Sequence, residues 1–131
     1  MKPLAIAVGD PAGIGPEVAR KAMQSGAFAG ESFVVFGDPR DFADLPAVEV
    51  RGTKVPNTIR DAHRATAESG VIQLGWLDAA IDAVQTGAWR GLVTGPTCKE
   101  ASVASGTPFT GQTERLAERT GVAHDEVTML L

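Results

Sequence analysis

The 131-residue sequence holds a single cysteine, Cys98. No intrachain disulfide can form, and a reducing compartment is the simple reading. A basic cluster is missing as well. Twelve Lys and Arg are scattered along the chain against sixteen Asp and Glu, a formal net charge of −4. That distribution excludes an electrostatic nucleic-acid surface or a polybasic membrane patch. Long apolar runs are also lacking. The N-terminal "LAIAV" is cut short by Gly-Asp-Pro, too early for a signal-peptide core, and no window has the length that spans a bilayer. The expectation is a soluble cytoplasmic protein without a nucleic-acid or membrane partner. Only two histidines occur, His63 and His124, far apart and each in polar sequence. With one cysteine and no clustered carboxylates beside either, local spacing assembles no metal site.

What is present is an ordinary globular composition, 44% hydrophobic and 21% charged. A chain of this size can bury one core. Short apolar runs at 4–8 ("LAIAV"), 32–37 ("SFVVFG"), 47–52 ("AVEVRG"), 91–96 ("GLVTGP") and 126–131 ("EVTMLL") read as strands. Between them lie helical stretches. "PEVARKAMQSG" has Pro16 at a first helical position, Glu17 in the first turn and Gly26 as its stop. "VIQLGWLDAAIDAVQTG" sets Leu74, Leu77, Ile81 and Val84 on one face and ends at Gly87. "DPRDFADL" predicts a short helix, "TCKEASVASG" and "ERLAERTG" two more, while residues 53–70 show no firm period. Alternating strands and helices predict an α/β fold with a mainly parallel sheet. A buried parallel strand at 126–131 needs both faces covered, so the chain is expected to be part of something longer or to have its partner elsewhere.

Three stretches could carry chemistry. "GDPAGIGPE" (9–17) places three glycines between a strand and a helix, where main chain can approach a ligand closely and helix N–H groups are free. It is neither G-x-G-x-x-G, since Val18 holds the third position, nor a Walker A loop. A plain tight turn is the stronger reading on local pattern. "VTGPTCKEA" (93–101) sits at a strand's carboxyl end, where open α/β sheets bind ligands. Lys99 there could meet an anion or merely solvate a helix. Cys98 has no neighbouring His or Asp to form a nucleophile pair and reads as structural. In "TPFTGQTE" (107–114), Thr110 could cap a helix with Thr113 and Glu114 in the capping arrangement. Equally, Gln112 and Thr113 offer an amide and a hydroxyl at a helix's positive end, an anchor for phosphate or carboxylate.

Taken in order and at these intervals, "GDPAGIGPE", "AESG", "LVTGPTCKEA" and "PFTGQTE" resemble the 4-hydroxythreonine-4-phosphate dehydrogenase family of vitamin B6 biosynthesis. The resemblance runs along nearly the whole chain and covers less than half of a typical member. It implies an isocitrate/isopropylmalate dehydrogenase-like fold, incomplete here, with residues 1–131 as its N-terminal α/β portion. It also implies an oxidoreductase that oxidises a secondary alcohol by hydride transfer to NAD, after which the β-keto acid loses carbon dioxide. A divalent metal (Zn, Mg, Mn or Co) polarises the oxygens. The substrate would be a phosphorylated hydroxy amino acid; relatives use other hydroxy acids or a cis-dihydrodiol. A homodimer with its active site in a cleft is implied too.

Carried onto this sequence, the resemblance makes Gln112 and Thr113 the substrate-binding pair, and Gly9, Asp10, Gly13, Ile14 and Gly15 a cofactor-proximal loop. Lys99 becomes polar support, and no catalytic residue is assigned. Family members have His-Thr where Gln112-Thr113 stands. Glutamine can donate only a neutral hydrogen bond where histidine can be cationic, which implies weaker phosphate binding or another substrate. The family's metal-ligating histidines, and most of its NAD-binding surface, come from later segments with no counterpart here. The chain alone is therefore expected to be inactive as a dehydrogenase. The rival expectation is a truncated, non-catalytic binding protein.

Overall fold

The computed structural model describes residues 1–131. Its centre is a four-stranded, all-parallel sheet in the order β3-β2-β1-β4, from strands β1 (Leu4–Ala7), β2 (Phe33–Phe36), β3 (Val48–Val50) and β4 (Gly91–Thr94). The first two strands are continuous apolar runs, as strands covered on both faces need to be. Ala5, Ala7, Val34 and Val35 are buried nearly completely.

Helices and 3-10 turns of different lengths connect and cover the strands. Helix α1 (Gly15–Gln24) leads from β1 to β2, with Pro16 in its first turn and Ser25 closing it ahead of Gly26. A 3-10 turn at Pro39–Asp41 replaces the helix expected in "DPRDFADL". The patternless stretch 53–70 contains the single-turn helix α2 (Asn57–Arg60) and the start of α3 (Ala67–Gln85). A capping box begins α3: Ser69 N–H donates to the Thr66 hydroxyl, and Thr66 N–H to the Ser69 hydroxyl. Along α3, Leu74, Leu77 and Ile81 are buried, and Val84 packs partly buried against the same core. That core also takes Phe42, Val55 and Trp89. Helix α4 (Lys99–Ala104) packs on α3, and α5 (Gln112–Thr120) follows it. Arg115 of α5 pairs with Asp78 of α3 (Nη2 to Oδ2 2.5 Å), and Arg119 pairs with Asp82. The Asp78 carboxylate holds the Arg115 guanidinium above its ordinary pKa, against a smaller opposing effect of burial.

The expected strand at 126–131 is not formed. Residues 124–126 make a 3-10 turn and 127–131 are irregular, with Met129, Leu130 and Leu131 exposed. A strand exists only through ladder bonds to a neighbour, and this segment pairs with none. Apolar composition alone cannot supply them.

Candidate functional site

The strand order defines where a ligand would sit. From β1 the chain moves to β2 on one side, and from β3 it returns past β1 to β4 on the other. The reversal lies between β1 and β4, the topological switch point of an open α/β sheet, and ligands bind outside the carboxyl ends of such strands. Ala7 pairs with Thr94, so the loops after β1 and β4 leave the sheet side by side. Those loops are "GDPAGIG" and "TGPT", the two glycine stretches singled out by sequence.

The loops are fastened main chain to main chain. Gly95 N–H donates to the Ala7 oxygen (2.7 Å) and Asp10 N–H to the Pro96 oxygen (3.0 Å). Close main-chain approach explains two glycines, Gly15 within the loop after β1 and Gly9 across to the loop after β4. A Cβ on Gly15 would lie 1.8 Å from the Val8 oxygen, and one on Gly9 (φ +86°) would lie 2.1 Å from the Pro96 oxygen. Both positions are filled by protein rather than open to a ligand. Asp10 is buried, and its Oδ1 accepts from Ala12 N–H at 2.9 Å, closing the turn. Gly13 and Ile14 form the exposed tip of the loop.

Helix α5 reaches the same place. Gln112 is its first residue, and its Nε2 donates to the Gly95 oxygen (3.0 Å) and to the Thr97 hydroxyl (3.1 Å). The cap residue is Gly111, with no side-chain capping bond, so Thr110 does not cap the helix as the pattern allowed. Thr113, half-buried, lines a shallow groove with Leu116, Ala117, Val127 and Met129. Lys99, the first residue of α4, is exposed and forms no ion pair. The structure thus fastens Gln112 to the loop after β4, which is itself bonded to the glycine loop after β1, and sets Thr113 on the neighbouring groove.

Two polar constellations were not legible as sites. Just past β2, the buried Asp38 receives Arg40 (Nη2, 2.7 Å), Arg60 (Nη1, 2.9 Å) and Val55 N–H (2.8 Å). Burial pushes its carboxyl up, but the Arg40 guanidinium, the main-chain donors and Arg60 outweigh it and hold the pKa far below the usual carboxylate range. In α3, Gln73 is buried and fully bonded to Cys98 and Ser102. Both histidines are exposed, and nowhere do three His, Cys, Asp or Glu side chains come together as metal ligands.

An open parallel sheet with two glycine loops meeting at its switch point is the architecture of an α/β dehydrogenase domain or a nucleotide-binding one. Comparison with known proteins narrows this. Residues 9–131 match the family model described as pyridoxal phosphate biosynthetic protein PdxA. The chain belongs to that family. It is 37% identical to 4-hydroxythreonine-4-phosphate dehydrogenase of Burkholderia vietnamiensis, over 89% of this chain and 40% of the relative. The Chromobacterium violaceum enzyme of the same name is 34% identical over 98% of the chain and 44% of the relative. The crystal structure of the Klebsiella pneumoniae enzyme superposes with a TM-score of 0.77 at 26% identity, over 92% of this chain and 45% of that one. The α/β, isocitrate dehydrogenase-like fold expected from sequence is therefore the fold observed. The chain spans less than half the length of these relatives.

Proposed function

We propose that residues 1–131 supply the N-terminal α/β portion of an NAD-dependent oxidoreductase, and the relatives' name, 4-hydroxythreonine-4-phosphate dehydrogenase, supports a phosphorylated hydroxy amino acid as its substrate. The observation that carries this is the meeting of the two glycine loops at the sheet's switch point, with the start of α5 tied by Gln112 to Gly95 and Thr97 of the second. In this reading Gln112 and Thr113 contact the substrate. The exposed tip Gly13-Ile14 lies beside the cofactor, with Gly9, Asp10 and Gly15 shaping the turn behind it, and Lys99 adds polar support. Bound NAD would supply the hydride acceptor for oxidation of the substrate's secondary alcohol, and the β-keto acid would then lose carbon dioxide. The residues present do not fit a divalent metal, because no ligand set is assembled. A Zn, Mg, Mn or Co ion, and most of the NAD surface, would be held by segments outside these residues, within a homodimer. The cytoplasm is the compartment this chemistry suits, and no helix is long and apolar enough to cross a membrane.

One observation favours a second reading. The Gln112 amide is engaged within the chain, which suits a family member acting on a different, less highly charged hydroxy acid.

A hybrid tests both. Residues 1–131 would replace the corresponding part of the Burkholderia vietnamiensis relative, and NAD reduction would be followed with 4-hydroxythreonine 4-phosphate and with unphosphorylated hydroxy acids. Turnover of a hydroxy acid is expected, with Thr113→Ala lowering kcat/KM about tenfold, the loss of one substrate hydrogen bond. A folded hybrid that binds NAD but turns over none of these substrates, while the parent relative does, sinks the proposal.

A further inference from the structure

Helix α3 buries an apolar stripe on which Leu77, Ala80 and Ile81 recur at helical spacing, and Gln73, one turn before Leu77, is on that stripe. Only 1% of Gln73 is exposed. A buried amide is costly unless its hydrogen-bonding groups are met, and here both ends are. Nε2 donates to the Cys98 oxygen and to the Ser102 hydroxyl, each at 2.6 Å, and Oε1 accepts from Cys98 N–H at 2.9 Å. The side chain therefore pairs with the main chain of Cys98 on both its donor and acceptor sides, as a neighbouring strand would. An apolar residue in its place would orphan the Cys98 N–H, while the Cys98 oxygen would keep only the Ser102 N–H and hydroxyl.

Cys98 is not an arbitrary anchor. It directly follows Thr97, whose hydroxyl accepts the Gln112 amide from α5. The loop between β4 and α4 is thus gripped at adjacent residues by glutamines from two helices, Gln73 of α3 at Cys98 and Gln112 of α5 at Thr97 and Gly95. On its other flank the loop is held by main chain alone, through Asp10 N–H to Pro96 and Gly95 N–H to Ala7. Ser102 gives α4 its own link to the same point, its hydroxyl donating to the Cys98 oxygen at 3.2 Å.

We infer that Gln73 is a positioning residue for the site. Its buried amide sets the Thr97–Cys98 end of the loop in the position that Gln112 reaches, and so fixes where the N-terminus of α5 presents Gln112 and Thr113. The inference rests on the reading of that pair as substrate-facing, but its structural core does not need a substrate to be tested.

The test is NMR on the whole chain. The exchange rate of the Gln112 side-chain amide protons is read together with the main-chain shifts of Gly95 and Thr97, and the Ala5 and Val34 amides report on the sheet. Gln73→Met keeps the length and removes every bond. It is expected to speed exchange at Gln112 about tenfold and to move the Gly95 and Thr97 signals, while Ala5 and Val34 stay in place. Ser102→Ala removes one partner of the same amide and leaves the Cys98 pairing intact, so exchange at Gln112 should stay within about twofold of wild type. Unchanged Gln112 protection in Gln73→Met overturns the inference. So does equally fast exchange in Ser102→Ala, because a general loosening between α3 and α4 would then explain both. Should Gln73→Met fail to fold, Gln73→Glu decides, since it keeps the acceptor for Cys98 N–H and loses only the donor. Faster exchange at Gln112 supports the inference and wild-type protection overturns it. If the loop responds as expected and no hydroxy acid shifts the Gln112 or Thr113 signals in the hybrid, the functional reading fails and the positioning role stands.

Discussion

The side-chain amide of Gln112 and the main-chain oxygen of Gly95 lie 3.0 Å apart, and the bond between them fastens the first turn of α5 to the loop leaving β4. The second amide hydrogen goes to the Thr97 hydroxyl. Glutamine has two side-chain donors, and both are used within the protein. What Gln112 can still offer outward is its acceptor, Oε1, which repels a phosphate oxygen. The residue expected to hold an anion is built here as a fastening.

That arrangement predicts a gain from Gln112→His in the hybrid enzyme. An imidazole can keep one bond to the loop and, when protonated, present a charge-assisted donor about twice as strong as a neutral one. Affinity for a phosphorylated substrate should rise about fivefold to tenfold, roughly 1 kcal/mol, with little change for unphosphorylated hydroxy acids. The check is the ratio of dissociation constants, Q112H against wild type, measured for each substrate class. The same ratio for both classes would show that this position does not select for phosphate.

Removing the fastening has its own signature. Gln112→Ala leaves the Gly95 oxygen and the Thr97 hydroxyl without their partner in a half-buried position. A loss of about 1 kcal/mol is expected in urea unfolding, with the slope unchanged. No shift in midpoint would mean that water replaces the amide at no cost.

The glycines give a sharper contrast. Gly15→Ala would drive a methyl group to 1.8 Å from the Val8 oxygen, which is main chain in a buried strand connection and cannot swing aside. A loss of about 3 kcal/mol is expected, at the upper end of overpacking. Gly75, exposed in the middle of α3, has nothing within 4 Å of a new Cβ. There Gly75→Ala should stabilise by about 0.5–1 kcal/mol through helix propensity alone. Thermal unfolding of the two variants checks both signs, and a tolerated Gly15→Ala would mean that the loop after β1 does not fold back onto Val8 as described.

These residues also show how much the sequence made legible. Strands β1 and β2 were readable because continuous apolar runs ending in Gly suit buried parallel strands, and β3 and β4 as shorter apolar runs, β3 interrupted by Glu49. The switch-point loops were readable as glycine-rich turns, and the structure explains Gly9 by main-chain contact with the loop after β4 and Gly15 by the fold-back of its own loop onto Val8, rather than by an approaching ligand. The strand expected at 126–131 failed because pairing depends on a neighbour that sequence cannot supply. Asp38, Arg40 and Arg60 could not be joined in advance, since a stretch without a clear period separates Arg60 from the other two and only the fold brings all three to one carboxylate. Gln73 did leave a trace: a polar residue on an otherwise apolar helical stripe signals a buried partner, although not which one.

The buried carboxylate of Asp38 yields the last prediction. Its pKa in the folded protein lies below the value near 3.9 of an unfolded aspartate. The stabilisation it provides is thus complete above that unfolded value and is lost progressively as pH falls toward the folded one. Asp38→Asn removes the charge that Arg40 and Arg60 share, leaving two guanidinium groups beside a neutral amide. At pH 7 the variant should be less stable by about 3 kcal/mol, the usual cost of breaking a buried ion pair from one side. The gap should narrow as the pH is lowered from about 5 toward 2, because the unfolded wild type then binds a proton that the folded protein's Asp38 still excludes. Urea midpoints for both proteins at pH 7, 4 and about 2.5 measure this. The difference between the two proteins matters more than either curve, since the carboxylates of Glu17 and Asp44, also held low by Lys21 and Arg20, titrate in the same range in both. A gap that stays constant over this range would place the contribution of Asp38 in its packing and neutral hydrogen bonds, not in its charge.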